Sequence, residues 1–102
     1  MADITEARKA IVARILEGEG KASREQRKAA FDNAGLSEPL RTLIEKVVKS
    51  ARTVTDQDVA AVRAAGLSED QIFELVVCGA VGQATRQNER ALAALAAAAE
   101  RV

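Results

Sequence analysis

Along the whole chain apolar residues recur at three- and four-residue intervals, the spacing of one face of an α-helix. Nowhere does apolar–polar alternation persist long enough to make a strand. Five such runs can be marked off, each separated from the next by turn-forming residues. Ile4, Ala7, Ile11 and Ile15, widened by Val12 and Leu16, predict a first helix. Asp3 with Glu6 three residues on forms a capping box at its start, and Gly18 and Gly20 end it near Glu17. Ser23 with Gln26 opens a second helix, with Ala29, Ala30 and Phe31 on the buried side and Gly35 as its stop. Its outer side is Arg24, Glu25, Arg27 and Lys28, a solvated face. Leu36-Ser37-Glu38-Pro39 opens a third, because the first-turn N–H that proline lacks would have had no partner there anyway. Its stripe of Leu40, Leu43, Ile44, Val47 and Val48 runs to about Ser50. After the short link Ala51-Arg52-Thr53-Val54, Thr55 caps a fourth helix with Val59, Val62 and Ala65 inward.

The rest of the chain is organised around Ala64-Ala65-Gly66-Leu67-Ser68-Glu69-Asp70-Gln71. Gly66, lacking a Cβ, closes the fourth helix in the left-handed conformation; Ser68 and Gln71 then cap a fifth. Ile72, Leu75, Val76 and Gly79 carry its inward stripe, and it extends from about Glu69 to Glu100. Gly79 and Gly82 admit a neighbouring helix and, at a cost of roughly 1 kcal/mol each relative to alanine, invite a bend. Gly-Leu-Ser-Glu occurs twice, at 35–38 and 66–69, as one stop-and-start device used at two junctions. The expectation is a single all-α domain over residues 1–102, a bundle of about five helices with a long C-terminal one. A domain of 102 residues has too little core to cover a helix of that length. Its alanine-rich end, 91–99, is therefore expected to pack on another copy of the chain, making a homo-oligomer.

Composition narrows the chemistry. Lysine plus arginine and aspartate plus glutamate each total 15, so no net field draws the chain to nucleic acid or an anionic membrane. Histidine is absent, which removes the commonest general base and metal ligand. Phe31 and Phe73 are the only aromatics, so the core is made of small aliphatic side chains. Cys78 is the only cysteine and can form no disulfide within the chain. No basic-then-apolar leader and no uninterrupted membrane span is present, and a cytoplasmic location is expected.

Candidate sites are few. Cys78 lies mid-helix, one turn after Glu74 and two before Arg86, without the nearby cations that would make a reactive thiolate. It reads as a small buried hydrophobe. Asp56 and Asp58 suit the first turn of a helix, where carboxylates complement the dipole with no cation. The stretch from Val59 to Leu75 has the outline of a DNA-binding helix-turn-helix, but its second helix opens with Glu69, Asp70 and Glu74, which repel phosphate. Gln83, Arg86, Gln87 and Asn88 form a polar block between the apolar and alanine-rich halves of the last helix. Cys78, Gly79, Gly82, Gln83 and Arg86 together make the candidate pocket or subunit interface; no cofactor and no metal is expected, and a protein partner or small ligand remains open.

A helix ending Ala64-Ala65-Gly66-Leu67-Ser68, an acidic capping turn, then Ile72-Phe73-Glu74-Leu75 and a small-residue helix resembles the AhpD-like family. That family includes the alkylhydroperoxidase AhpD and carboxymuconolactone decarboxylase. The resemblance runs from about Leu40 to about Leu95. It implies a helical bundle that assembles as trimers or hexamers. In redox members a Cys-x-x-Cys-x-x-x-His motif precedes this turn; by position it would fall on Ala51, Val54 and Asp58, none of which is kept. The family's relay glutamate would fall at Pro39, beside Glu38. Dithiol peroxidase activity is therefore not expected. The leading expectation is a binding protein, with a decarboxylase- or peroxidase-class enzyme using other residues as the alternative.

Overall fold

The computed structural model describes residues 2–101, with side chains from 5 to 101. The first-helix cap at Asp3 and the apolar contact of Ile4 thus lie outside the described side chains. Five helices follow in order: α1 Ala2–Glu17, α2 Arg24–Asp32, α3 Leu40–Ser50, α4 Asp56–Ala64 and α5 Glu69–Glu100. A 3₁₀ turn, Ala51–Thr53, joins α3 to α4. No strand occurs among the described residues. The helix starts and stops are local hydrogen-bond solutions. Thr55 and Ser68 each make a reciprocal capping box, with Asp58 and Gln71 as the third-position partners. Gly66, at φ 107°, closes α4 with Leu67 N donating to the Val62 carbonyl and Gly66 N to that of Arg63. The α2 stop differs from expectation. Asn33 takes the left-handed conformation (φ 51°), while Ala34 N donates to Ala29 and Asn33 N to Ala30; Gly35 comes two residues too late. Asparagine tolerates that conformation because its short polar side chain bonds locally.

The core is small and aliphatic. Leu43, Ile44, Val62 and Leu75 are fully buried, joined by Ala30, Leu40, Ile72 and the Cys78 side chain. They come from α2, α3, α4 and the first half of α5, which is the element every other helix packs against. Two faces depart from expectation. On α1, Val12, Ile15 and Leu16 turn toward the core while Ala7 and Ile11 stay exposed, because α1 meets the bundle through its C-terminal half. On α4, Ala65 is exposed.

α5 is one unbroken helix through Gly79 and Gly82. At 1.5 Å per residue its 32 residues span about 48 Å, most of the molecule's 55 Å long axis. From Glu89 to Glu100 every residue is exposed. The radius of gyration, 15.6 Å, exceeds the roughly 13 Å of a compact domain of this length.

Candidate functional site

Four of the five candidate residues converge on the end of α2. Gly79 lies beneath Ala30 and Ile44, and a Cβ there would stand 3.3 Å from the Ile44 Cγ2. At Gly82, one turn on, α2 comes closer still: a Cβ would collide with the Phe31 backbone. One more turn along, Arg86 Nη1 donates to the Phe31 carbonyl at 2.6 Å, and its Nη2 reaches Gln83 Oε1 at 3.3 Å. A guanidinium at the carbonyl end of a helix answers both an orphan acceptor and the negative end of the dipole. Gly79 and Gly82 admit α2, Arg86 ties it down and Gln83 steadies Arg86. Of the polar block, Arg86 thus meets α2 of its own chain with Gln83 beside it, while Gln87 is exposed and Asn88 faces the space between α1 and α5.

Cys78 faces the opposite side, toward the α1–α2 loop. Its side chain is buried at 1 % exposure. Burial pushes the thiol pKa up; the Arg27 guanidinium pulls the other way and Glu74 adds to the rise. The thiolate is disfavoured. Beside it opens a cleft of about 360 Å³, lined among others by Ile15, Arg27, Phe73 and Glu74.

Arg27 and Glu74, which the sequence reading left out of the site, are the most constrained polar groups here. Arg27 is no part of a solvated face: it is 5 % exposed. Its Nη1 donates to the carbonyls of Ile15 (3.1 Å) and Gly18 (2.7 Å), capping the end of α1. Glu74 accepts from Lys21 N with both carboxylate oxygens, at 2.9 and 2.8 Å, and from Ala22 N at 3.4 Å. Gly20 lies against that carboxylate where a Cβ would not fit. Glu74 ties the α1–α2 loop to α5 and Arg27 ties the end of α1 to α2; the Glu74 carboxylate and Arg27 Nη1 are committed to backbone groups, while Arg27 Nε is buried with no hydrogen-bond partner among the described residues. The sequence did hold a signal for Arg27: it stands three and four residues before Ala30 and Phe31, on the same helical face.

A wider concavity than this cleft lies elsewhere, a groove of about 920 Å³ between α1 and α5. Val12 and Leu16 line it from α1, Phe31 from α2, and Val81, Thr85 and Leu92 from α5, with Arg8, Lys9, Glu17, Lys28 and Glu89 among its charged lining residues. It opens directly onto the exposed end of α5, where Leu92 and Leu95 are 58 % and 67 % exposed.

The three positions weighed above for a redox motif hold other things. Ala51 is exposed, and Asp58, at the histidine position, accepts from Lys46 Nζ at 2.8 and 3.0 Å and from Thr55 N at 2.8 Å. These bonds hold its carboxyl below the ordinary range, Lys46 first. Glu38 accepts from the Thr42 hydroxyl and amide, which likewise lower it. Among the described residues no cluster of three His, Cys, Asp or Glu is placed to hold a metal ion, and no helix is long and apolar enough to cross a membrane. No family model, curated protein or solved structure matches the chain.

Proposed function

We propose that the chain is a self-associating helical protein, AhpD-like in build but without the family's redox chemistry, that works by binding and assembly. The observation that carries this is the uncovered second half of α5. A twelve-residue alanine-rich helix with Leu92 and Leu95 outward has no core of its own to stabilise it. Isolated helices shorter than about 12–15 residues are marginal in water. Covering it with another copy removes that apolar surface and supports the helix at once. A trimer or hexamer is the state the family resemblance implies. The buried, thiolate-disfavouring setting of Cys78 and the structural employment of Asp58 and Glu38 support a role outside catalysis.

Light scattering after size exclusion tests the reading. The expected mass is a multiple of 10.8 kDa, and Leu95→Glu, exposed in the monomer, reduces it to one chain. A wild-type monomer at the highest soluble concentration overturns the proposal. Peroxide or lactone turnover that vanishes in Cys78→Ser would establish the enzymatic alternative instead.

A further inference from the structure

We infer that the cleft beside Cys78 binds a small organic monocarboxylate, held on the free edge of the Arg27 guanidinium. The site lies within one chain and stands whether or not chains associate.

Arg27 is a buried cation without a counter-ion. It is 5 % exposed, and among the described residues no carboxylate forms an ion pair with it. A buried charge is costly unless it is paired. The acidic groups beside it do not supply the missing charge. Glu74 commits its oxygens to Lys21 N and Ala22 N, and the Cys78 thiol, its pKa raised by burial, stays neutral.

The guanidinium is also short of acceptors. Nη1 serves the Ile15 and Gly18 carbonyls, which leaves Nε and Nη2. Nε is buried with no partner; Nη2 has none either among the described residues but keeps some contact with solvent. In a planar guanidinium Nε–H and the nearer Nη2–H point the same way, a fork matched to the two oxygens of a carboxylate. Arg27 lines the cleft, so an oxygen entering there meets Nη2 first and its twin falls beside Nε. One group thus answers both the unpaired charge and the unmet donors.

The rest of the cleft decides what the carboxylate is attached to. Its volume of about 360 Å³ lies at the lower end of the ~300–1,000 Å³ usual for small-molecule sites. Ile15, Phe73 and Val77 give it apolar walls, and Phe73, at 70 % exposure, is an aromatic that the core does not use. Charge restricts the ligand to a single negative. Arg14, Lys21 and Arg27 line the cleft against Glu19, Asp70 and Glu74, so the lining is neutral as a whole. A monoanion gains the buried cation, whereas a second negative charge, as on sulfate, would face the carboxylates. A short aromatic or aliphatic acid has the required form, a planar anion at one end and an apolar body at the other.

The test follows the Arg27 Nε–H signal in proton–nitrogen correlation spectra of the full chain. Sodium benzoate is titrated at constant ionic strength, beside benzamide, its neutral isostere, and sodium sulfate. Benzoate should move that signal saturably, with a millimolar dissociation constant; benzamide and sulfate should leave it in place. Arg27→Lys, which keeps the charge and loses the fork, should weaken benzoate binding about tenfold by calorimetry. Phe73→Ala, at an exposed position, should weaken it several-fold. Leu95→Glu should bind as wild type does, so that loss of assembly and loss of the site are told apart. No saturable shift by about 50 mM benzoate, well past a millimolar constant, overturns the inference. So does an equal response to benzamide or to sulfate, or a set of benzoate shifts confined to the α1–α5 groove around Thr85 and Leu92. If circular dichroism shows Arg27→Lys unfolded, the wild-type titrations and Phe73→Ala decide alone.

Discussion

At Gly82 a Cβ would run into the Phe31 carbonyl, carbon and Cα together, whereas at Gly79 it would meet chiefly the Ile44 Cγ2 methyl at 3.3 Å. A backbone cannot step aside as a side chain can. Gly82→Ala should therefore cost roughly 1–3 kcal/mol of overpacking against a propensity gain of roughly 1, a net loss that thermal unfolding reads as a lower Tm. In Gly79→Ala the methyl gives way and the two effects nearly cancel, leaving stability within about 0.5 kcal/mol of wild type. The same scale governs Cys78. Buried, with its thiol pKa raised, it should resist alkylation at neutral pH and label at the ordinary cysteine rate once the chain is unfolded in denaturant. Rapid labelling of the native protein would mean that the cleft admits reagents to a reactive thiolate. Arg27 was misjudged at this scale because residue type outweighed position: charge argues for solvent, while its place on the Ala30–Phe31 face argues for burial.

Among the elements, α1 is held least by apolar packing. Among its described side chains none is fully buried, and Val12, Ile15 and Leu16 are half-buried. The Arg27 cap on its last carbonyls thus carries a large share of its attachment. Arg27→Gln, which keeps much of the bulk and loses the charged fork, should cost roughly 1.5–3 kcal/mol for bonds to a charged group. Hydrogen exchange should show the loss in α1 amides first, with α3 and α4 little changed. Equal loss in all helices would mean that α1 is an integral part of the cooperative core. The elements themselves were largely legible, because their ends are written in short-range chemistry: Thr55 with Asp58, Ser68 with Gln71, and Gly66 each act within a few residues. What was not legible depends on partners distant in the chain. Asn33 took the role expected of Gly35, since either residue permits the left-handed turn and the approach of α2 to Gly82 sets where the helix must stop. α1 turned Val12 and Leu16 inward, leaving Ile11 out, because its docking is fixed by Arg27, ten or more residues away.

Across the whole molecule the pieces do not close on themselves. The bundle proper uses α2, α3, α4 and half of α5; the other half extends the long axis to 55 Å and keeps its leucines in solvent. The candidate residues Gly79, Gly82, Gln83 and Arg86 turned out to be joinery between α2 and α5, invisible to periodicity because it depends on which helix crosses where. The groove was equally hidden, since it exists only between α1 and α5 once both are docked. On the self-association proposed above, a second copy steadies the last twelve residues of α5, and this has a further result. Dilution would melt them while the bundle stays folded, so the fraction of ordered chain would track how much of the protein is present. Far-ultraviolet ellipticity per residue should then deepen with concentration, and a protease added to dilute samples should trim the chain back to about Arg86 and spare the rest.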